Sequence, residues 1–202
     1  MKSKNKYVIL KDEQTVKGTC PSGEEFYFDI QDLRKAKTFT WYSSGSDFLK
    51  TCVNIYGKPL YRLLIITPKG FEIDHINRNR MDNRRSNLRI CTHQQNQFNQ
   101  NLQRNNTSGV IGVRFNKTRN KYVARIKFCG KDIHLGYYKN IEHAMQARNE
   151  AAKLLFGQFA VLSNVIEGNQ EIKNYVRLRC KAVYKINNFH IESAGKSLPK
   201  SE

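Results

Sequence analysis

IDHINRNRMDNRRSNLRICTHQQN, residues 73–96, sets an Asp beside a His, runs through an Arg- and Asn-rich stretch, and ends on an amide. Phe71-Glu-Ile73 reads as a short strand leading into Asp74-His75. Residues 76–86 are almost wholly polar, with Arg78, Arg80, Arg84 and Arg85, and read as a loop. Leu88-Arg-Ile-Cys91 is a second short strand. Thr92 caps a helix, with Gln95 three residues on as a capping box requires, and the helix is expected to run to about Asn101. Strand, loop, strand and helix therefore follow one another without a gap.

These residue types suit phosphodiester hydrolysis. An attacking water must lose a proton, and a neutral His, with a free pKa of about 6.5, can take it. The leaving 3′ oxygen must have its growing charge neutralised, which a divalent metal does. Asp74 supplies a carboxylate oxygen and Asn96 an amide oxygen, a hard donor pair that suits Mg²⁺ or Mn²⁺ better than Zn²⁺. Asn87 is placed to hold the imidazole of His75 in one orientation. His93, one turn before Asn96 on the same helix face, is a candidate phosphate contact or alternative ligand. Four Arg in the loop, with Arg89 beyond it, are candidate phosphate contacts.

Before this stretch the chain reads as β-rich. Tyr7-Val-Ile-Leu10 and Glu25-Phe-Tyr-Phe-Asp29 are strand-like, with a break across Gly18 to Gly23. Ser43 to Ser46 is a turn, and Leu60 to Thr67 reads as a buried strand ended by Pro68-Lys-Gly70. Trp41 and Tyr42 are expected in the core, and nothing before residue 71 points to chemistry.

After it, Asn105 to Gly109 is a linker, and residues 110–138 carry three alternating runs. Ile111, Val113 and Phe115 share a face opposite Arg114; Tyr122, Ala124, Ile126 and Phe128 oppose Lys121, Arg125 and Lys127; Ile133, Leu135 and Tyr137 oppose Asp132 and His134. Asn140 caps a helix from Ile141 to Phe156 with an Ala144/Ala147/Ala151/Leu154/Leu155 stripe, and Gly157 stops it. Residues 105–160 hold ten Lys/Arg against three Asp/Glu, so one sheet face is covered by the helix and the other is left basic. Tyr175 to Ile186 fits either a strand or a basic amphipathic helix, and Ser193 to Glu202 looks frayed.

The whole chain is basic in the same way. Thirty-five Lys and Arg against 17 Asp and Glu give +18, spread along the 202 residues, which points to a polyanionic partner, nucleic acid first. With 39% apolar content, eleven Phe and ten Tyr, the chain can build a core. No stretch approaches the length of a membrane span, and residues 1–13 lack the apolar run of a secretory signal. Cys20, Cys52, Cys91, Cys129 and Cys180 are odd in number, far apart and without a CxxC, which argues for reduced thiols in a cytoplasmic setting and against a zinc module.

Residues 73–101 resemble the HNH family of metal-dependent nucleases, in the version found in phage and intron-encoded homing endonucleases. The matching pieces are DHIN at 74–77, RNRMDNRRSNLR at 78–89 and THQQN at 92–96. The resemblance implies a ββα-metal unit in which His75 is the general base, Asp74 and Asn96 hold the metal and Asn87 orients the base. Residues 106–160 are similar to the Apetala/ethylene-response-factor DNA-binding domain, through GVR at 112–114, YVARI at 122–126, LGYY at 135–138 and AMQARNEAAKLLFG at 144–157. Such domains dock a three-stranded sheet into the DNA major groove, and Arg114, Arg125 and Lys127 match sheet positions that face DNA.

The expected fold is α+β: a β-rich part over 1–72, the nuclease motif over 73–104, a three-stranded antiparallel sheet packed on one helix over 105–160, and an extension over 161–202. The expected function is a metal-dependent homing endonuclease that nicks or cuts duplex DNA as a monomer, in the bacterial host of a phage or mobile element. The competing expectation is a DNA-binding regulator with a decayed nuclease site.

Overall fold

The computed structural model describes residues 4–45, 51–54, 56–102, 106–165 and 168–181. The chain divides into two compact units between Asn99 and Gln100. Helices mix with four small antiparallel sheets among the described residues.

The first unit opens with β1 (Lys6–Ile9), β2 (Thr15–Thr19) and β3 (Glu25–Asp29) in that spatial order. Gly18 lies inside β2, so the break expected at Gly18 is displaced: the turn spans residues 20–24, closed by Cys20 N–H to Glu24 O at 2.8 Å. The reason is a close approach. Gly18 pairs with Phe26, and a Cβ at Gly18 would overlap the Phe26 ring. Phe26 in turn stacks on Phe28 (5.9 Å) and takes the edge of Tyr7 (6.3 Å). Gly18→Ala therefore overpacks a ring that cannot retreat. It should destabilise this unit by about 3 kcal/mol and lower its Tm by more than about 10 °C in a thermal melt.

After a short helix α1 (Leu33–Ala36), β4 (Trp41–Ser44) pairs with β5 (Thr51–Asn54). Ser43 and Ser44 thus belong to a strand rather than a turn, which begins at Gly45 (φ 100°); Ser46 lies outside the described residues. Trp41 is fully buried and donates its Nε1–H to Ala36 O at 2.8 Å. With Val16, Phe26, Phe28 and Leu60 it makes the core of this unit.

The expected strand at 60–67 is a helix, α2 (Leu60–Leu64). Pro59 ahead of it presets a helix entry, and Leu60 and Leu64, four apart, both face the core, while Ile66 is 94% exposed.

β6 (Phe71–His75) and β7 (Leu88–Thr92) then pair, with Asp74 opposite Arg89 and His75 opposite Leu88. α3 (His93–Phe98) follows directly, and both bonds of its capping box are made, Gln95 N–H to Thr92 Oγ1 and Thr92 N–H to Gln95 Oε1. It ends at Phe98 rather than near Asn101.

The second unit carries β8 (Val113–Asn116), β9 (Lys121–Phe128) and β10 (Lys131–Tyr138), with β9 central. Cys129 (φ 48°) and Gly130 (φ 76°) form the tight turn between β9 and β10, both in the left-handed region that such a hairpin needs. α4 (Ile141–Phe156) is capped by Asn140 through His143 N–H at 3.2 Å and stopped at Gly157 (φ 54°). Its Ala144, Ala147 and Ala151 are fully buried, as the small-residue stripe implied.

One expected alternation fails. The register slips between His134 and Gly136, a bulge at Leu135, so Tyr137 pairs with Val123 and lies on the same face as His134 rather than opposite it. Beyond α4, residues 170–181 are helical (α5), with Ile172, Val176 and Cys180 buried at four-residue spacing and Arg177 paired to Glu150 at 2.8 Å. The ambiguous segment is therefore helix as far as 181; its remainder and residues 193–202 lie outside the described residues.

Candidate active site

The polar stretch 76–87 is a loop, but a tied one. Tyr27 of β3 donates its N–H to Met81 O (2.8 Å) and accepts from Asn83 N–H (2.7 Å), so the loop is zipped along β3. Met81, Asp82 and Asn83 are buried. The asparagines supply the backbone's missing partners: Asn87 Oδ1 accepts from Asn77 N–H (2.9 Å), Asn87 Nδ2 donates to Asp82 O (2.8 Å), and Asn77 Nδ2 donates to Asp82 Oδ2 (2.8 Å). Arg78 takes the left-handed conformation (φ 65°) where the chain bends away from His75.

Asn87 thus braces the loop and does not touch the imidazole it was expected to orient. That contact belongs to Asn83, whose Oδ1 lies 3.4 Å from His75 Nε2. Asn83 is 0% exposed and donates its Nδ2 to Met81 O at 3.2 Å, which turns its oxygen toward the ring. On the other side the His75 ring meets Tyr61 of α2 edge-on, centroids 5.1 Å apart at 85°. Burial pushes the His75 imidazole below its ordinary pKa, against the opposing pull of the Asn83 bond, and Arg80 acts with burial. Both Asn83 and Tyr61 escaped sequence reading: one sits in a run of asparagines, the other in the misread helix.

Asp74 points to the other face of β6. Arg89 donates to its Oδ2 from Nε (2.8 Å) and Nη2 (2.6 Å), and Asn99 Nδ2 reaches both carboxylate oxygens (2.9 and 3.1 Å). Two residues earlier on that face, Glu72 accepts from Asn96 Nδ2 (2.6 Å) and meets His93 Nδ1 (2.8 Å). Those bonds, Asn96 first, hold the Glu72 carboxyl below its usual range. His93 is well exposed, and its Nε2 lies 2.8 Å from Gln97. Glu72 and Asp74 are thus in phase on β6, and the α3 segment meets that face twice, through Asn96 at Glu72 and through Asn99, just past the helix end, at Asp74.

The arginines divide sharply. Arg84 grips Asp82 with two bonds (2.8 and 2.7 Å), Arg85 grips Asp32 with two (both 2.9 Å) and also donates to Leu64 O, and Arg89 is held by Asp74. All three were expected at phosphates; their guanidinium forks tie the loop and the hairpin to carboxylates, that of Arg85 to Asp32, 53 residues away. Arg78 and Arg80 are exposed.

On the second unit, the outer sheet face presents Arg114, Arg125 and Lys127, all exposed, with Arg125 opposite His134 and Lys127 opposite Asp132. Arg119, which the sequence did not single out, lies over the Tyr137 ring at 4.6 Å. An open groove of about 630 Å³ is lined by Arg114, Arg125 and Lys127 together with Gln100, Asn101 and Asn106. Beneath the sheet, Arg148 is buried, its pKa lowered to about 10 by desolvation, and it lies against Phe156.

The family model described as HNH endonuclease matches residues 67–98, the span that holds β6, the tied loop, β7 and α3. The chain is 34% identical over 108 residues to an uncharacterized HNH endonuclease, L560, of Acanthamoeba polyphaga mimivirus, and 30% identical over 93 residues to Protein 3.8 of Escherichia phage T7. The chain carries an HNH endonuclease domain.

The matched regions cover 52% and 46% of this chain, and 55% and 76% of the two viral proteins, so it spans about half of the mimivirus relative. No solved structure matches it. Among the described residues no helix of this HNH protein is long and apolar enough to cross a membrane. Nor does any group of three or more His, Cys, Asp and Glu among them form a metal cage. The donor set left for a cation is the Asp74 carboxylate and the Asn96 amide. Both donors are oxygens, which suits a hard ion; the Asn96 nitrogen is turned to Glu72, which leaves its oxygen on offer, while the Asp74 oxygens already accept from Asn99 and Arg89, bonds that an ion there would have to share.

Proposed function

We propose that the chain is a metal-dependent DNA endonuclease of the homing type, with His75 as the general base and the second unit as its grip on duplex DNA. The observation that carries this reading is the buried imidazole of His75, set between Asn83 and Tyr61 on one side of β6, with Asp74 on the other side of the same strand end.

Asn83 Oδ1 accepts from Nε2–H of the neutral ring, which leaves Nδ1 with the lone pair that takes a proton from water. Burial keeps the ring neutral at physiological pH. Asn87 acts one step back, by holding the loop that carries Asn83. Asp74 and Asn96 are the residues that would hold Mg²⁺ or Mn²⁺, which when bound supplies charge neutralisation at the leaving 3′ oxygen. Exposed Arg78 and Arg80 flank the base and are free to meet phosphates.

The second unit is read as an Apetala/ethylene-response-factor-like domain whose outer sheet face, with Arg114, Arg125 and Lys127, lies on the duplex. The excess of cations there and the +18 charge of the chain support this. A single nuclease unit fits a monomer that nicks, acting in the cytoplasm of a host cell, and the phage relative agrees with that setting.

The test is relaxation of supercoiled plasmid carrying the DNA that flanks the gene, with Mg²⁺ and with chelator. Nicking only with the metal is expected. Binding without nicking under any metal leaves a DNA-binding regulator as the function. If about six to ten phosphates are neutralised, affinity should fall by about 10³–10⁵ between 50 and 200 mM salt.

A further inference from the structure

A side-chain amide has two chemically different ends of nearly equal shape. Its oxygen is a ligand for a hard cation, and its NH₂ end is not. Whatever turns Asn96 therefore decides whether it can ligate at all. In the structure its NH₂ end meets Glu72 Oε2 at 2.6 Å. A carboxylate can only accept, so this bond admits one orientation of the amide and rejects the other. Glu72 is held in turn: its other oxygen meets His93 Nδ1 at 2.8 Å, and His93 Nε2 is bonded to Gln97, four residues along α3. Glu72 also shares its strand face with Asp74.

We propose that Glu72 is a positioning residue that turns the Asn96 amide so that its oxygen is the end offered to a divalent cation. The role rests on the assignment of Asp74 and Asn96 as cation ligands. Glu72 takes no part in proton transfer; its carboxylate is occupied by Asn96 and His93. His93 is thereby a brace for Glu72 rather than a ligand.

The experiment is a Mn²⁺ titration of the full chain without DNA, with free Mn²⁺ counted by electron paramagnetic resonance. Nicking rate against Mn²⁺ concentration is the second readout. Glu72→Leu removes the acceptor and should raise the half-saturating Mn²⁺ concentration on the order of tenfold, as loss of a bond that orients a metal ligand does. The nicking rate at saturating Mn²⁺ should be largely retained. Glu72→Gln keeps a carbonyl acceptor of the same length and should weaken Mn²⁺ binding less than Glu72→Leu does. His93→Ala leaves the Glu72–Asn96 bond in place and should shift Mn²⁺ binding by less than about threefold.

Unchanged Mn²⁺ binding in a folded Glu72→Leu overturns the proposal. Equal losses in the Gln and Leu variants also overturn it, because charge and not orientation would then be what Glu72 supplies. Should Glu72→Leu fail to fold, Glu72→Gln decides alone: a half-saturating Mn²⁺ concentration within about threefold of the parent chain supports the amide orientation, and a larger rise refutes it. Asp74→Ala separates the two levels: if the parent chain binds Mn²⁺ no better than Asp74→Ala, the ligand assignment falls and this role with it.

Discussion

His75→Ala is expected to slow nicking by about 10²–10⁴-fold, the usual contribution of a positioned proton acceptor, while DNA binding at fixed salt stays unchanged. The ring is enclosed by Asn83 and Tyr61, so its removal takes away chemistry without touching an exposed cation. Asn83→Leu should act in the same direction through the ring's tautomer: nicking falls, and its pH profile moves, because the bond to Nε2 is gone. The pH dependence has a definite sign. Burial disfavours the charged ring and holds its pKa below the ordinary value near 6.5. The neutral base therefore persists into mildly acidic solution, and the rate should fall only below the pH at which a free imidazole would have been half protonated. The same shift weakens the fold in acid. Below about pH 6.5 the unfolded chain takes up a proton that the folded ring resists, so stability declines as pH drops. His75→Ala should lack that part of the decline in urea titrations at several pH values. Nicking within threefold of the parent rate would remove His75 from the mechanism.

Arg89→Leu should destabilise the first unit by about 3 kcal/mol, toward the low end for a broken buried pair because part of Arg89 reaches water. Its loss leaves Asp74 buried with only the Asn99 amide as a polar partner. A divalent cation at that carboxylate should then stabilise the variant more than it stabilises the parent chain, since a ligand stabilises the folded state by RT ln(1 + [L]/Kd) and Kd falls once Arg89 no longer competes for the carboxylate. The measurement is urea unfolding with and without Mg²⁺. An unchanged midpoint with weakened DNA binding would instead make Arg89 the phosphate contact that its sequence position suggests.

Much of the nuclease hairpin can be read along the chain because its determinants are local. The Thr92/Gln95 capping box, the two strands around the polar stretch, the Asn140 cap and the Gly157 stop each depend on residues within a few positions of one another. What could not be read depends on distant partners. Nothing near Arg85 announces that Asp32 will hold it, so a loop rich in Arg looks like a phosphate clamp when two of its forks are structural. Asn83 and Asn87 look interchangeable in sequence, and only the fold assigns one to the ring and the other to the backbone. LYRLLII satisfies a buried strand and a helical face equally until the core it meets is known, and that ambiguity concealed Tyr61.

The zipping of the polar loop along β3 bears on modularity. The span that carries the family likeness, residues 67–98, borrows Tyr27 and Asp29 from the opening sheet, Asp32 from the turn just after it and Tyr61 from α2. Transplanted alone into another protein, it would arrive with an unsupported imidazole and one stranded guanidinium fork, that of Arg85. The smallest cassette that recombination could shuffle as a working cutter is therefore the whole first unit, and the domain partner it is fused to can change more freely than its own N-terminal scaffold.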